Sequence, residues 1–454
     1  MKTQINRRDF LHSTAAIGAG LFLTPSAFGQ GAAAAAKKDV LNIGIIGAGA
    51  QGQVLMDAVL KLGKNANVCF KSVCDIWESY NLKRVSKILT AYKAYGHVGT
   101  PYTDYKEMLD KEKLDAVIVA TPDFWHAEHA MAALKKGLHV YCEKEMSNDI
   151  EKAKQMVLTA REAGKLLQIG HQRRSNPRYI HCYEKLMKEA NLLNQVTHIY
   201  GQWNRSRASC EDQSSPTGSE IPQAILEKHG FKDMKQFRNW RWYKGLGGGP
   251  IVDLGSHQID IYSWFLNESK PLSVMASGGV DYWKGHEWYD NVIAIYEFPT
   301  DKGIVRAIYQ TITTNSAQGY YEQFMGDEGT LLISEASARG EVYRESWVAE
   351  DKWTPWVKKN YIKQIAAAPK AKKEGEAATD VRESVQPAKY DLPITMDVPY
   401  HQPHLVNFFD SVRGSAKLNC PGEVAYMTAA MVLKVNEAVA AGKKIEFKPE
   451  EFKV

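Results

Sequence analysis

The chain has few cysteines and no pattern to them: six in 454 residues (Cys69, Cys74, Cys142, Cys182, Cys210, Cys420) and no C-x-x-C spacing. That argues against a metal centre or a dithiol redox motif. Several sit inside apolar runs, where Cys behaves as a small buried hydrophobe. Charge of one sign is also scarce, since 57 Lys+Arg against 52 Asp+Glu leave a net +5. No long basic cluster carries interleaved aromatics, so no nucleic acid partner is expected. Nor does any interior stretch read as a membrane span. What is present, 44% hydrophobic and 24% charged residues, is ordinary for a globular protein. The length suits two domains.

The N-terminus is set apart. Asn6-Arg7-Arg8-Asp9-Phe10-Leu11 resembles the twin-arginine export consensus, and the apolar stretch from Ala15 to Leu23 follows it. That stretch is shorter than the roughly 20 residues a spanning helix needs. Pro25 and the small residues around Ala27-Phe28-Gly29 read as a cleavage site. Residues 1–38 are therefore expected to be a signal peptide and leader, excluded from the fold. The resemblance implies export, already folded, by the twin-arginine machinery, a periplasmic address and no membrane association after cleavage. That compartment is oxidising, so a disulfide among the second-half cysteines stays open.

From residue 39 to 169 strands and helices alternate. Ile43–Ile46, Val68–Cys74, Ala116–Ala120 and His139–Cys142 are apolar runs suited to a buried parallel sheet. Helical segments are expected near 51–62, 80–95 and 127–136. This pattern predicts an α/β doubly wound Rossmann sheet. The first strand runs into Gly47-x-Gly49-x-x-Gly52, with Gln51 between the last two glycines. Such glycines permit a tight turn, close approach to a diphosphate, and packing of helix on strand. The diphosphate then sits on free N–H groups at the helix N-terminus. An acidic residue, Asp75, ends the next strand at the expected distance. A carboxylate there accepts from a ribose 2′-hydroxyl and repels a 2′-phosphate, so NAD is expected rather than NADP.

Two further motifs make a resemblance specific. Thr121-Pro122-Asp123-Phe124-Trp125-His126 follows the third buried strand, and the next strand ends in Glu143-Lys144. Later, Gly247-Gly248-Gly249 precedes Asp253-Leu254-Gly255-Ser256-His257, with Asp260 beyond. The chain resembles the glucose–fructose oxidoreductase / inositol dehydrogenase (Gfo/Idh/MocA) family over nearly its whole length past the leader. The resemblance implies that Thr121, Pro122, His126, Glu143 and Lys144 line the cofactor site, that Lys144 is catalytic with His257, and that subunits pair through the second domain's sheet. One departure stands out: the family's proline after the lysine is Glu145 here, an extra carboxylate able to hold the lysine charged.

Taking a hydride from an alcohol requires a base for its proton. Asp253 and His257 are four apart and share one helix face; a carboxylate beside an imidazole fixes its tautomer and raises its basicity. Lys144, at the carboxyl end of a parallel strand, can stabilise a developing alkoxide. Asp260, one turn beyond His257, can bind a sugar hydroxyl.

Residues 170–454 are expected to form an α+β substrate and oligomerisation domain with an open, mostly antiparallel sheet. Helix starts are expected at Asn176-Pro177, with strands at 196–203, 292–298, 304–313 and after Gly326. Arg173-Arg174, Asn239 to Tyr243 with Trp240 foremost, and Tyr320-Tyr321 supply forked polar groups and flat rings for a sugar. His401 and His404 precede an amphipathic helix over 405–412. Residues 363–390 read as a solvated insertion. No metal site is expected.

The address and the cofactor together restrict the chemistry. Free NAD is scarce in the periplasm, so a tightly held, internally recycled cofactor is expected. Two cycles remain open: oxidation of a sugar or glycoside hydroxyl with a second carbonyl compound as acceptor, or the oxidation–elimination–reduction cycle of an NAD-dependent glycosidase. A non-catalytic, cofactor-loaded sugar binder would not need Lys144, Asp253 and His257.

Overall fold

The computed structural model describes residues 39–336, 339–365 and 386–454. The twin-arginine segment and most of the 363–390 insertion lie outside the described residues.

Six parallel strands build the first sheet: β1 (Leu41–Ile46), β2 (Val68–Cys74), β3 (Thr100–Tyr102), β4 (Ala116–Val119), β5 (His139–Cys142) and β6 (Leu167–Ile169). Their order is β3-β2-β1-β4-β5-β6, a doubly wound arrangement that reverses direction between β1 and β4. Ligands bind such sheets in the crevice outside the carboxyl ends of the strands at that reversal. The ends of β1, β4 and β5 bring Gly47, Thr121 and Lys144 to that edge.

The second sheet holds β7 (Val196–Asn204), β8 (Ser273–Gly279), β9 (Asn291–Thr300), β10 (Gly303–Ile312), β11 (Tyr320–Gly326), β12 (Gly329–Ile333), β13 (Gly340–Arg344), β14 (Lys363–Gln364), β15 (Ala388–Asp391) and β16 (Ile445–Glu446). The order is β14-β15-β13-β12-β11-β7-β10-β9-β8-β16. Among the described pairings β7 with β10 is parallel; the others are antiparallel. Helix Ser256–Phe265 and the helical stretch from Pro177 to Glu189 bury their apolar faces on one side of the sheet, against Tyr296, Phe298 and Phe324. The opposite side is open and carries Met275 and Ile293, about half exposed.

The two sheets share their cores. Leu405, Phe408 and Phe409 of helix Gln402–Val412 pack with Ile43, Leu55 and Tyr141 beneath the first sheet. Helix Gly422–Ala441 presents Ala425, Tyr426 and Ala429 to the first sheet's core and Met431, Val432 and Val435 to the second's. This helix has the length and apolarity of a membrane span, a stretch the sequence reading passed over; burial between the two layers accounts for its composition. All six cysteines are buried and free, so the disulfide left open from the sequence is not formed.

Candidate active site

The glycine loop tests the cofactor reading residue by residue. Gly47 has φ +93°, and a Cβ there would meet the Ala120 carbonyl oxygen at 2.5 Å. A Cβ on Gly52 would lie 2.0 Å from the Gly47 carbonyl oxygen. Both glycines are therefore required by the fold. At Gly49 a Cβ would touch nothing within 4 Å. Gly49 is also the N-cap of helix Ala50–Leu60, with no side chain bonded to the first-turn amides. An open face above free N–H groups and a positive dipole is what a diphosphate needs.

Asp75 faces the same loop. Its carboxylate accepts the Ala48 N–H (2.8 Å), the Trp77 N–H (2.7 Å) and the Asn81 amide (3.3 Å). Burial raises its pKa against those bonds. The Gln51 amide donates to Nε2 of His401 (3.0 Å), which brings the start of helix Gln402–Val412 over the loop. His404 instead bridges Ser175 Oγ and the Ile169 carbonyl, deep in the core. A segment from Arg205 to Gly247 covers the outer edge: the Trp77 indole N–H and the Ser79 hydroxyl both donate to the Ser219 carbonyl, and the Trp125 indole donates to the His229 carbonyl (3.0 Å).

Beside the strand ends lies a partly buried charge cluster. The Lys144 ammonium bonds the Asp253 backbone carbonyl and lies 3.3 Å from its Oδ1. Arg241 Nε reaches the same oxygen at 3.3 Å. Burial alone would raise the Asp253 pKa, but Lys144, Arg241 and Arg205 outweigh it and hold the carboxylate below its usual range. Asp123, in the first turn of helix Asp123–Lys135, is buried next to this cluster and pushed up to about 7 by that burial. Two sequence expectations are corrected here. Asp253 does not orient His257, because two cations compete for its carboxylate more strongly than a neutral imidazole. Glu145 makes no ion pair with Lys144: one oxygen accepts the Met146 N–H (2.9 Å), the other has no partner among the described residues, and burial lifts the Glu145 pKa to about 8. The Lys144–Glu145 peptide is cis.

His126, expected at the cofactor, is a brace. Its Nδ1 lies 2.7 Å from the Glu145 carbonyl and its Nε2 2.6 Å from the Thr121 carbonyl, which ties the Thr121-Pro122 turn to the residue after Lys144. The Thr121 hydroxyl meets His129 Nδ1 at 3.0 Å. Glu143 is buried, with its carboxylate against Gly170.

His257 lies in the first turn of helix Ser256–Phe265, is 7% exposed, and its Nδ1 has no partner among the described residues. Burial first, then the Lys144 charge, holds its pKa well below the ordinary imidazole value. It is therefore neutral at physiological pH, the form that accepts a proton. Trp203 lies 5.5 Å from it, ring centre to ring centre, and stacks on Tyr320 at 4.5 Å. His171 meets it edge-on at 6.3 Å. Tyr320 thus lies on the same face as Trp203 and His257, whereas Tyr321 does not. Alternation along β11 sends Tyr321 to the open face, beside Tyr200.

The remaining expected substrate groups have protein partners, Arg173 while lying over the Trp203 and Tyr320 rings. Arg173 is buried in ion pairs with Glu322 and Glu335. Both Asp260 oxygens accept from Arg174 Nε (3.0 and 2.9 Å), and one also accepts the Thr428 hydroxyl. Trp240 packs in a separate apolar cluster with Trp77, Leu226 and Phe231. Each of these side chains thus has a protein partner that spacing along the chain does not reveal. Sequence reasoning missed Asp123, His171 and Trp203. The acid directly after Thr121-Pro122 was a readable signal for the first; a lone histidine and a strand tryptophan carried none.

A doubly wound parallel sheet of nucleotide-binding type and a mixed, mostly antiparallel second sheet define the fold class. Residues 41–171 match the model of an oxidoreductase family with an NAD-binding Rossmann fold, and residues 224–447 match that family's C-terminal α/β domain. The chain belongs to the Gfo/Idh/MocA oxidoreductase family. It is 27% identical over 245 residues to a 1,5-anhydro-D-fructose reductase of Ensifer adhaerens, covering 53% of this chain and 63% of that one. It is 28% identical over 206 residues to a D-glucoside 3-dehydrogenase of Escherichia coli K12 (45% and 48%). A glycosyl hydrolase family 109 protein of Shewanella putrefaciens is 28% identical over 177 residues (36% and 38%). The matches thus span 38–63% of these relatives' lengths. The fold is shared with the WlbA dehydrogenase of Bordetella pertussis, solved with NADH and UDP-GlcNAcA (TM-score 0.63, 17% identity, 90% of this chain and 98% of that one).

Proposed function

We propose that the protein is a periplasmic oxidoreductase that oxidises a hydroxyl group of a sugar or glycoside with tightly held NAD. The observation that carries this reading is the neutral His257 set against the Lys144 ammonium beside the nucleotide edge. Gly47, Gly49 and Gly52 would hold the diphosphate and Asp75 the adenosine ribose. Bound NAD would supply the hydride acceptor. His257 takes the hydroxyl proton, and Lys144, held by Asp253, steadies the oxygen as charge develops on it. Trp203 and Tyr320 give the sugar ring an apolar wall. The Arg205–Gly247 segment over the Asp75 loop favours retention of the cofactor, and the ribose-binding carboxylate favours NAD over NADP. The open face of the second sheet suits pairing of two copies, since exposed Met275 and Ile293 would be buried there.

The similarity to a glycosyl hydrolase family 109 protein favours one second reading, the redox-neutral glycosidase cycle. One experiment separates them. The purified protein is denatured and assayed for released NAD(H); the intact protein then receives aryl and methyl glycosides without added cofactor. Lasting absorbance at 340 nm supports the oxidoreductase, and free aglycone supports the glycosidase. Protein devoid of nicotinamide nucleotide and unable to bind it refutes both.

A further inference from the structure

His171 follows β6 and Gly170 at the carboxyl edge of the first sheet. Its backbone is fixed: the N–H donates to the Ile169 carbonyl (2.7 Å), and its own carbonyl accepts the Arg174 N–H (3.1 Å). The residue is 1% exposed, yet among the described residues neither ring nitrogen has a partner. The charged groups that face it are Asp260, Arg174, Lys144 and Arg173. Each is already taken: Asp260 and Arg174 by one another, Arg173 by Glu322 and Glu335, Lys144 by Asp253. Burial keeps the ring neutral, with its pKa down at about 4. A neutral imidazole offers one N–H donor and one lone pair, so both are left without protein partners. Leaving such groups unsatisfied is costly, and a ligand would relieve it.

The ring neighbour of His171 is His257, 6.3 Å away between ring centres and nearly perpendicular. Its Nδ1 is likewise unpartnered. Two rings so placed can each hydrogen-bond one of a pair of adjacent oxygens, with bonds of about 2.8 Å. We propose that His171 is a second substrate-binding imidazole, which holds the hydroxyl on the carbon next to the one whose proton His257 accepts. The site then selects vicinal diols over isolated alcohols. This rests on the reading of His257 as the base.

The test is calorimetric titration of the NADH-loaded protein with a panel of methyl pyranosides. The tightest binder is compared with its deoxy analogues at each carbon flanking the oxidised one. In the unaltered protein, removal of one flanking hydroxyl should weaken binding about 10-fold or more, because His171 loses its partner. In His171→Phe that ratio should fall to within about 3-fold, and His171→Asn should restore part of it. Should the phenylalanine variant fail to fold, His171→Asn and His171→Gln carry the comparison through an altered ratio. Equal binding of diol and deoxy sugars by the unaltered protein, or an unchanged ratio in the variants, overturns the proposal. If the diol preference and its loss are seen but no glycoside ever yields reduced nicotinamide, the oxidoreductase reading fails while the His171 contact stands.

Discussion

The glycine loop allows the fold and the cofactor site to be perturbed separately. Gly49→Ala adds a methyl group that meets no protein atom within 4 Å. The expected change in stability is below about 1 kcal/mol, the cost of a poorer N-cap residue. That methyl, however, occupies the space above the free amides of helix Ala50–Leu60, where a diphosphate must come close. Losing one charge-assisted hydrogen bond costs about 2 kcal/mol, which is about 30-fold in affinity. Gly52→Ala behaves in the opposite way. Its Cβ would stand 2.0 Å from a backbone carbonyl oxygen, so helix and turn must separate, at about 3 kcal/mol or more. Thermal unfolding of the cofactor-free protein, together with NAD titration followed by tryptophan fluorescence, measures both quantities. Gly49→Ala should unfold like the unaltered chain and bind NAD weakly. If it binds NAD as tightly as the unaltered chain, the placing of the diphosphate over Gly49 is wrong.

Further outcomes follow from the site. His257→Ala should keep NAD binding and lose all reduction at 340 nm; residual turnover near the original rate would remove His257 as the base. Arg174→Met strips Asp260 of its buried partner and should destabilise the fold by about 3–5 kcal/mol, measured by urea denaturation. Glu145, raised by burial from 4.5 to about 8, keeps its proton in the folded chain where the unfolded chain has lost it. Stability should therefore fall as pH rises from about 5 to about 7.5, by roughly 3 kcal/mol for this group. Glu145→Gln should flatten that dependence, and an unchanged slope would show that Glu145 ionises normally.

The first sheet was largely legible because its strands are continuous apolar runs bounded by glycine, proline or charge. β2 and β5 fall at their predicted ends. β3 and the helix Tyr105–Lys111 were not read, since a three-residue edge strand containing Pro101 has neither the length nor the pattern of a strand. In the site, spacing identified which residues meet but not which partners they choose. Asp253 and His257 share a face, yet the choice of Lys144 and Arg241 over the imidazole depends on cations contributed by other elements. The ion-pair partners of Arg173 and Asp260 escape the sequence for the same reason, as their counter-charges lie 162 and 86 residues away. His171 is conspicuous only through the partners it lacks, a property that exists in three dimensions alone.

The docking of helix Gln402–Val412 and helix Gly422–Ala441 against the first sheet has a consequence for biosynthesis. Leu405, Phe408 and Tyr426 are synthesised long after β1 and β5, yet they complete the interior beneath those strands. A nascent chain halted at residue 170 would present that unfinished surface to chaperones. The nucleotide-binding half must therefore await the synthesis of both helices, and any quality check for finished structure can sense their docking.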